Sequence, residues 1–437
     1  MLIKCLLSLT FILSFAFADA QHVHNAFCGH NLVLEQLKSK FPDYKAYEEE
    51  FFKEMAKTGK ERRKNRDDEA LIIPLVVHIV WKEPAENLHD SLIIAQVRIL
   101  NEDYSRTNPD ADKVREIFKD VVASPNIQFE LKEIKRVQTN ANFEIGILNN
   151  SLPDNVKKSN QGGSDAIDTD THLNLWICKI QPITLLGITI AQILGYAYPP
   201  AGLANWPEGQ SAPSKDLDGV VVDYRMIGDK NPNPIDLGDG NPLKVRGQTA
   251  THEIGHYLGL RHIWGDGEGV LGLGSSCDAD DGVEDTPNQG RQSNFSCDTT
   301  QNTCTDEVND LPDMIENYMD YASEDCMNSF TQGQADIMRA VLRTQRDKLI
   351  SSAKNIAVTK DWKLTPNPAN SNFTISFSEF PADNINYSIF NSSGMLLKTG
   401  IAHPNEMISV TDLPNGIFIV RMNHKNKISA KKLVIHR

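Results

Sequence analysis

The stretch His252-Glu253-Ile254-Gly255-His256-Tyr257-Leu258-Gly259-Leu260-Arg261-His262 decides how this 437-residue chain is read. On a helix, residues four apart share a face, so His252 and His256 project side by side and can bind one metal ion. Glu253 stands next to the first histidine, where it can touch a metal-held water without binding the metal. Gly259 can adopt the positive φ that stops a helix and turns the chain. His262, three residues further on, can then supply a third nitrogen. Three neutral nitrogens leave one position of a tetrahedral zinc open, which is the arrangement of a catalytic site rather than a structural one. The metal lowers the pKa of its water and Glu253 takes the proton, giving a nucleophile at neutral pH. Three histidines grouped on one turn without function would put costly polar side chains into a core. The other nine histidines match no ligand spacing; His78, on an apolar run, reads as a hydrogen-bonded core residue.

Outward from this segment the pattern is α/β. Leu71 to Trp81 (LIIPLVVHIVW) is a β-branched, nearly continuous apolar run, the signature of a strand buried on both faces. Ser91 to Tyr104 has helical spacing, Ile127 to Val137 alternates like a strand, and Leu173 to Cys178, Leu194 to Tyr198 and Gly219 to Tyr224 are further strands. Together they predict a mixed twisted sheet with packed helices, one of which carries the histidines. About seventy residues rich in Gly, Asp, Cys and Asn follow, and Thr331-Gln332-Gly333-Gln334 then opens a helix expected to run through Ile350. From Lys363 the texture is all-β: short apolar runs between Asn-Ser-Ser-Gly and Pro-Asn-Gly turns predict a separate β-sandwich.

Charge and cysteines bound the function. The net charge is −14, which argues against a nucleic-acid binder. Residues 67–360 carry 25 basic and 45 acidic groups, whereas residues 21–66 and 361–437 are each +3. The central block is therefore the part that would attract a cation or a basic substrate. Lys4, the apolar run Leu6 to Phe17 and the small-residue site Ala18-Asp19-Ala20 read as an export signal over residues 1–20, and no later segment is apolar enough to span a membrane. Export permits disulfides. Cys5 leaves with the signal and Cys178 is isolated, but Cys277, Cys297, Cys304 and Cys326 lie within fifty residues and read as two disulfides, with three connectivities open. Residues 21–66 are polar, helical from Asn31 to Lys60, and end in a basic cluster, Lys60 to Arg66, that is a natural cleavage point before the compact domain.

Further along stands Asn317-Tyr318-Met319-Asp320-Tyr321. With these residues in view the chain resembles the metzincin zinc peptidases, in which a methionine turn lies beneath the metal. Met319 matches that methionine, and Tyr321 matches the position of a tyrosine that hydrogen-bonds the tetrahedral intermediate. The motifs LVVHIVW, LNLWIC, LGYAYPP, DGVVVDY, DGVEDTP and ENYMDYASEDCMNSFTQGQ narrow the resemblance to the pappalysin family, in its cytophagalysin and ulilysin-like branch, over residues 70–350. The resemblance implies a secreted zinc endopeptidase, monomeric and acting on protein or peptide substrates, rather than an inactive adhesin that keeps the fold. It also implies the pairs Cys277–Cys304 and Cys297–Cys326, and structural calcium in the loops after the zinc helix. Residues 277–326 hold fourteen acidic groups and one basic group, and Asp281, Glu284 and Thr286 are the expected calcium ligands.

Cys28, in Phe27-Cys28-Gly29-His30, resembles the cysteine of metzincin pro-segments, whose thiolate fills the open zinc position in a latent form. The tail resembles the sorting domain of the type IX secretion route, in its Thr365-Pro366-Asn367-Pro368 opening and its Lys431-Lys432-Leu433-Val434-Ile435 strand. The expected organisation is a signal over 1–20, a pro-segment over 21–66, a catalytic domain over 67–355 and a sorting domain over 362–437. The segment after the methionine turn builds the pocket for the side chain following the scissile bond in this family. There Asp325, next to Cys326, is expected to select Arg or Lys, in preference to Glu324.

Overall fold

The structure is a computed structural model. It describes residues 25–65, 69–146, 151–185, 188–200, 215–236, 242–265, 276–354, 362–377, 385–391, 394–402, 406–424 and 427–437. The signal reading, with Cys5, and Arg66 of the basic cluster lie outside the described residues. In chain order the first elements are β1 (Asn25–Cys28), α1 (His30–Lys40) and α2 (Tyr44–Lys64). The helical stretch expected from Asn31 to Lys60 is thus two helices, because the chain turns at Phe41 to Asp43. Next come β2 (Leu71–Trp81), α3 (Asp90–Tyr104), β3 (Val122–Ala123), β4 (Ile127–Gln138), β5 (Leu173–Cys178), β6 (Ile183–Leu185), β7 (Ile188–Ala197) and β8 (Val220–Asp223).

Seven strands make one mixed sheet in the order β1-β7-β8-β5-β2-β4, with β6 paired to β7. Parallel pairings join β4, β2, β5 and β8, and β7 then runs antiparallel to β8. The central position of β2 explains its unbroken apolar run: it has a partner on each edge and a core on each face. Ile73, Leu75, Val77 and Ile79 join the core that includes Leu100 and Tyr104 of α3. Val80 joins the opposite core with Trp176, Cys178 and Val221. That second core also holds polar groups whose partners the sequence does not announce. His78 is stacked on Trp176 and hydrogen-bonded at 2.9 Å to both Ser164 and Asn174, and burial lowers its pKa to about 4, so it is neutral. The Lys157 ammonium is fully buried, 4.6 and 4.8 Å from the ring centres of Tyr198 and Tyr196, with Asp154 at 3.1 Å as its counter-charge.

The catalytic half closes with α4 (Gln248–Tyr257), β9 (Phe330–Thr331), α5 (Gln332–Thr344) and α6 (Asp347–Lys354). Between α4 and β9 regular structure is sparse, and Cys277 is bonded to Cys304 and Cys297 to Cys326. At the start of α5, Thr331 and Gln334 form a full capping box. The helix expected to continue to Ile350 breaks at Arg346. The Arg346 guanidinium sits 3.4 Å over the Tyr257 ring, donates to the Tyr257 carbonyl at 3.0 Å and holds Asp218 at 2.5 and 3.1 Å.

The tail forms two antiparallel sheets, β10 (Trp362–Thr365), β11 (Asn372–Phe377) and β14 (Met407–Ser409) in one, and β12 (Ile385–Asn391), β13 (Leu396–Ala402), β15 (Gly416–His424) and β16 (Lys427–Ile435) in the other. They share one buried core, including Trp362, Phe373, Ile375, Ile389, Val420 and Leu433, with no residue in common with the catalytic cores.

Candidate active site

The histidine helix is started from a distance. Gly247, at φ 84°, turns the chain into α4, and the cap comes from Glu324, seventy-five residues downstream. One carboxylate oxygen of Glu324 accepts from the Thr249 N–H at 2.8 Å and its hydroxyl at 2.7 Å, and the other accepts from the Arg246 N–H. An anion at a helix N-terminus satisfies the orphan N–H groups there and opposes the helix dipole.

His252 and His256 then share a face as their spacing requires. The Nδ1 of His252 lies 2.7 Å from the carbonyl of Tyr318, and that of His256 lies 2.8 Å from the carbonyl of Leu260. A carbonyl can only accept, so in both rings Nδ1 carries a proton and Nε2 is the nitrogen left to face a metal. Burial, then the neighbouring His30, His262 and His252, hold His256 well below the usual histidine range and therefore neutral. Gly259, at φ 92°, ends the helix, and the chain returns so that His262 Nε2 lies 3.2 Å from His256 Nε2. Trp264 is stacked on the His262 ring, 4.4 Å between centres and 7° from parallel. Below, Met319 lies so close that a Cβ on Gly255 would collide with its sulfur. The glycine in this helix is thus a requirement of packing.

Cys28 completes the cluster. Its sulfur and one nitrogen from each of His252, His256 and His262 all lie within 4.8 Å of one another. Three imidazole lone pairs and a thiol converging in a buried pocket are a donor set that fits zinc. The segment carrying Cys28 is held by backbone pairing: β1 runs parallel to β7, and the Gly29 N–H donates to the Gly195 carbonyl at 2.7 Å. A Cβ at Gly195 would meet the Glu253 side chain at 2.8 Å, so this edge comes closest to Glu253 where it has no side chain. The Cys28 thiol lies 3.2 Å from Glu253, and the Cys28 N–H donates to the Tyr321 hydroxyl at 2.8 Å. His30 is stacked on His256 at 3.8 Å. Glu253 is fully buried, and burial raises its carboxyl pKa to about 8 although the hydrogen bond from Cys28 works the other way.

A cavity of about 310 Å³ opens beside these groups, lined among others by Leu194, Glu253, Phe295, Tyr321, Glu324 and Met327. Asp325, expected to point into it, does not. Its carboxylate turns outward to the Arg246 guanidinium at 2.7 and 2.8 Å, and Glu324 occupies the wall instead. Adjacent residues in this loop face opposite ways, and the helix N-terminus draws Glu324 inward. The expected calcium ligands separate as well. Asp281 is buried and accepts from the Thr286 hydroxyl at 2.9 Å, while Glu284 is exposed and pairs with Lys60 at 2.7 Å. His30, Trp264 and the capping role of Glu324 escaped the sequence reading. Only the closeness of His30 to Cys28 and of Trp264 to His262 could have pointed to the first two.

A glutamate-bearing helix with two of three converging histidines, above a methionine turn, on a mixed α/β sheet, defines a metzincin-type metallopeptidase. The peptidase M43 model, described as pregnancy-associated plasma protein-A, matches residues 231–343, and a secretion system C-terminal sorting domain matches residues 363–436. The structure of mature mirolysin from Tannerella forsythia, solved with a cleaved peptide, is 34% identical and covers 66% of this chain and 98% of its own, with a TM-score of 0.52. A promirolysin mutant from the same organism is 32% identical and covers 75% of this chain and 98% of its own, with a TM-score of 0.57. An extracellular metalloprotease of Arthroderma benhamiae is 27% identical over 292 residues, 67% of this chain and 85% of the relative. The chain belongs to the pappalysin family, peptidase M43: it is a secreted zinc metalloprotease with a secretion sorting domain at its C-terminal end.

Proposed function

We propose that the chain is the latent precursor of an endopeptidase, divided into a signal over 1–20, a pro-segment over 21–66, a catalytic domain over 67–355 and a sorting domain over 362–437. The observation that carries this reading is the position of Cys28 within the histidine cluster and against Glu253. Similarity to the pro-form of mirolysin, which extends over 75% of the chain against 66% for the mature form, supports it. His252, His256 and His262 would hold zinc, with Cys28 as the fourth ligand in the latent state. When bound, zinc supplies a Lewis acid for the attacking water and the scissile carbonyl. Glu253 takes the proton of that water and returns it to the leaving amine. Tyr321, once released from the Cys28 N–H, donates to the developing oxyanion. Met319 packs under the histidines and fixes their floor. The substrate backbone takes the edge of β7 that β1 holds in the precursor, since that edge passes Glu253.

The pro-segment blocks three things together: the open metal position, the Tyr321 hydroxyl and the β7 edge. It is anchored further along by Phe51, Phe52 and Met55 in the catalytic core, with Arg261 3.8 Å over the Phe52 ring and Arg63 3.4 Å from Asp336. For specificity, Glu324 on the cavity wall is the carboxylate that would receive Arg or Lys after the scissile bond. A structural calcium is supported by Asp281, whose second carboxylate oxygen is buried with no hydrogen-bond partner.

Replacing Glu253 with Ala in the activated enzyme should lower turnover by about 10²–10⁴-fold while bound zinc stays near one per chain. Activity within about tenfold of wild type, read by peptide cleavage with metal analysis, would remove Glu253 from the mechanism. Cys28→Ala should shorten the lag before the refolded precursor cleaves a peptide, without abolishing it, because β1 and α2 remain docked. An unchanged lag would assign latency to coverage alone. In peptide-library profiling, Glu324→Gln should weaken the preference for Arg or Lys after the cut while keeping an acceptor for the helix cap, and Asp325→Ala should leave the profile as it is. The reverse pattern would return the role to Asp325. Finally, calcium at a hundred times its dissociation constant should stabilise the zinc-loaded enzyme by about 2.7 kcal/mol. Asp281→Asn should erase that gain in thermal melts, and coincident wild-type curves with and without calcium would eliminate the ion.

A further inference from the structure

Outside the histidine motif, one buried carboxylate touches both elements that hold His252. Asp103 lies near the end of α3, nearly 150 residues before the motif, and is 3% exposed. One of its oxygens accepts from the Thr251 hydroxyl at 2.6 Å, and the other accepts from the Tyr318 hydroxyl at 2.9 Å. Thr251 immediately precedes His252 on α4. Tyr318 immediately precedes Met319 in the methionine turn, and its carbonyl accepts the hydrogen bond from His252 Nδ1. The next residue of α3, Tyr104, grips the same place from its own hydroxyl, donating to the Thr251 carbonyl at 2.9 Å.

We infer that Asp103 is a positioning residue for the metal centre, which sets the distance between α4 and the methionine turn and thereby the aim of His252. The contacts close a ring: Asp103 to Thr251, along the chain to His252, from its Nδ1 to the Tyr318 carbonyl, and from the Tyr318 hydroxyl back to Asp103. Two hydroxyl donors converge on one carboxylate, so an apolar side chain there would leave both without their acceptor inside the core. The arrangement is costly. Burial raises the Asp103 carboxyl to about 7, against the hydrogen bonds from Thr251 and Tyr318 that favour the carboxylate, with Asp110 and Glu324 adding to the rise as like charges. A group that only filled space would not require a carboxylate. Partners that orient a metal-binding histidine in this way typically contribute about 10–100-fold to metal affinity.

This rests on the reading of His252 as a zinc ligand, so the test separates the two. In the full chain, zinc affinity is measured by competition with a chromophoric chelator, and the visible spectrum is recorded with cobalt alone. Asp103→Ala should lower zinc affinity by about 10–100-fold and shift the cobalt bands. Asp103→Asn, which keeps one acceptor, should recover part of the loss. Tyr318→Phe should weaken zinc binding too, and non-additively with Asp103→Ala, since both cut the same ring. If Asp103→Ala fails to fold, Tyr318→Phe alone decides. Wild-type zinc affinity and cobalt spectrum in a folded variant overturn the inference, provided His252→Ala loses zinc. If His252→Ala binds zinc as wild type does, the ligand reading itself falls.

Discussion

Two ring nitrogens face one another across 3.1 Å between His252 and His256, and contacts from distant parts of the catalytic half hold them there. In both rings Nδ1 is committed to a backbone carbonyl, which leaves the two Nε2 atoms turned toward one another, and burial keeps His256 neutral. The carbonyls belong to parts of the chain that the helix does not control. One comes from the methionine turn and the other from the turn after Gly259. The helix end is further clamped by Arg346 and the helix start by Glu324. The binding energy of a metal at this place is therefore prepared in advance by the fold, as a constellation needs if its ligands are not to reorganise when the ion arrives.

The N-terminal segment is read most simply as a use of the same valences by the chain itself. A thiol stands among the nitrogens and against Glu253, a backbone N–H engages Tyr321, and a strand pairs with the sheet edge beside Glu253. Each contact is one that the proposed mechanism assigns to water or substrate. Under the pro-segment reading proposed above, such a plug needs little special surface around the site, and further anchoring comes from α2, whose Phe51 and Phe52 enter the core of the catalytic half. Separating the anchor from the plug makes the two removable in different ways.

The acidic character of the central block has a local structural use. Glu324 caps α4, Asp320 gathers Gln289, Ser293 and the Tyr321 N–H, and Asp313 gathers Gln301 and Thr303. Between α4 and β9, where helices and strands are few, carboxylates take over the satisfaction of backbone and side-chain donors, and the two disulfides limit the freedom of the loops that carry them. Part of the negative charge is thus scaffolding. The pocket carboxylate is drawn from the same supply, which is why one residue, Glu324, both caps the helix and lines the cavity.

Sequence by itself determined whatever depends on spacing along one element. The i, i+4 histidines, the glycine that ends their helix, the long apolar run of β2, the capping box at Thr331 and the all-β texture of the tail follow from the geometry of single helices, strands and turns, whereas β7 starts six residues before the expected Leu194. Only the tertiary structure decided the questions of direction. Asp325 and Glu324 are neighbours of equal charge, and nothing local says that the N-terminus of α4 draws one inward while Arg246 holds the other outside. Glu284 and Asp281 read alike as acids of one loop, and only the structure separates them, the first exposed and paired with Lys60 and the second buried. At the break between α5 and α6, Arg346 meets Tyr257, nearly ninety residues away. Asp103, which grips both sides of His252, sits in a helix with no motif at all. Periodicity fixes which face of an element a side chain occupies, but a hydrogen bond between distant segments depends on how those elements pack, and packing is a property of the whole chain.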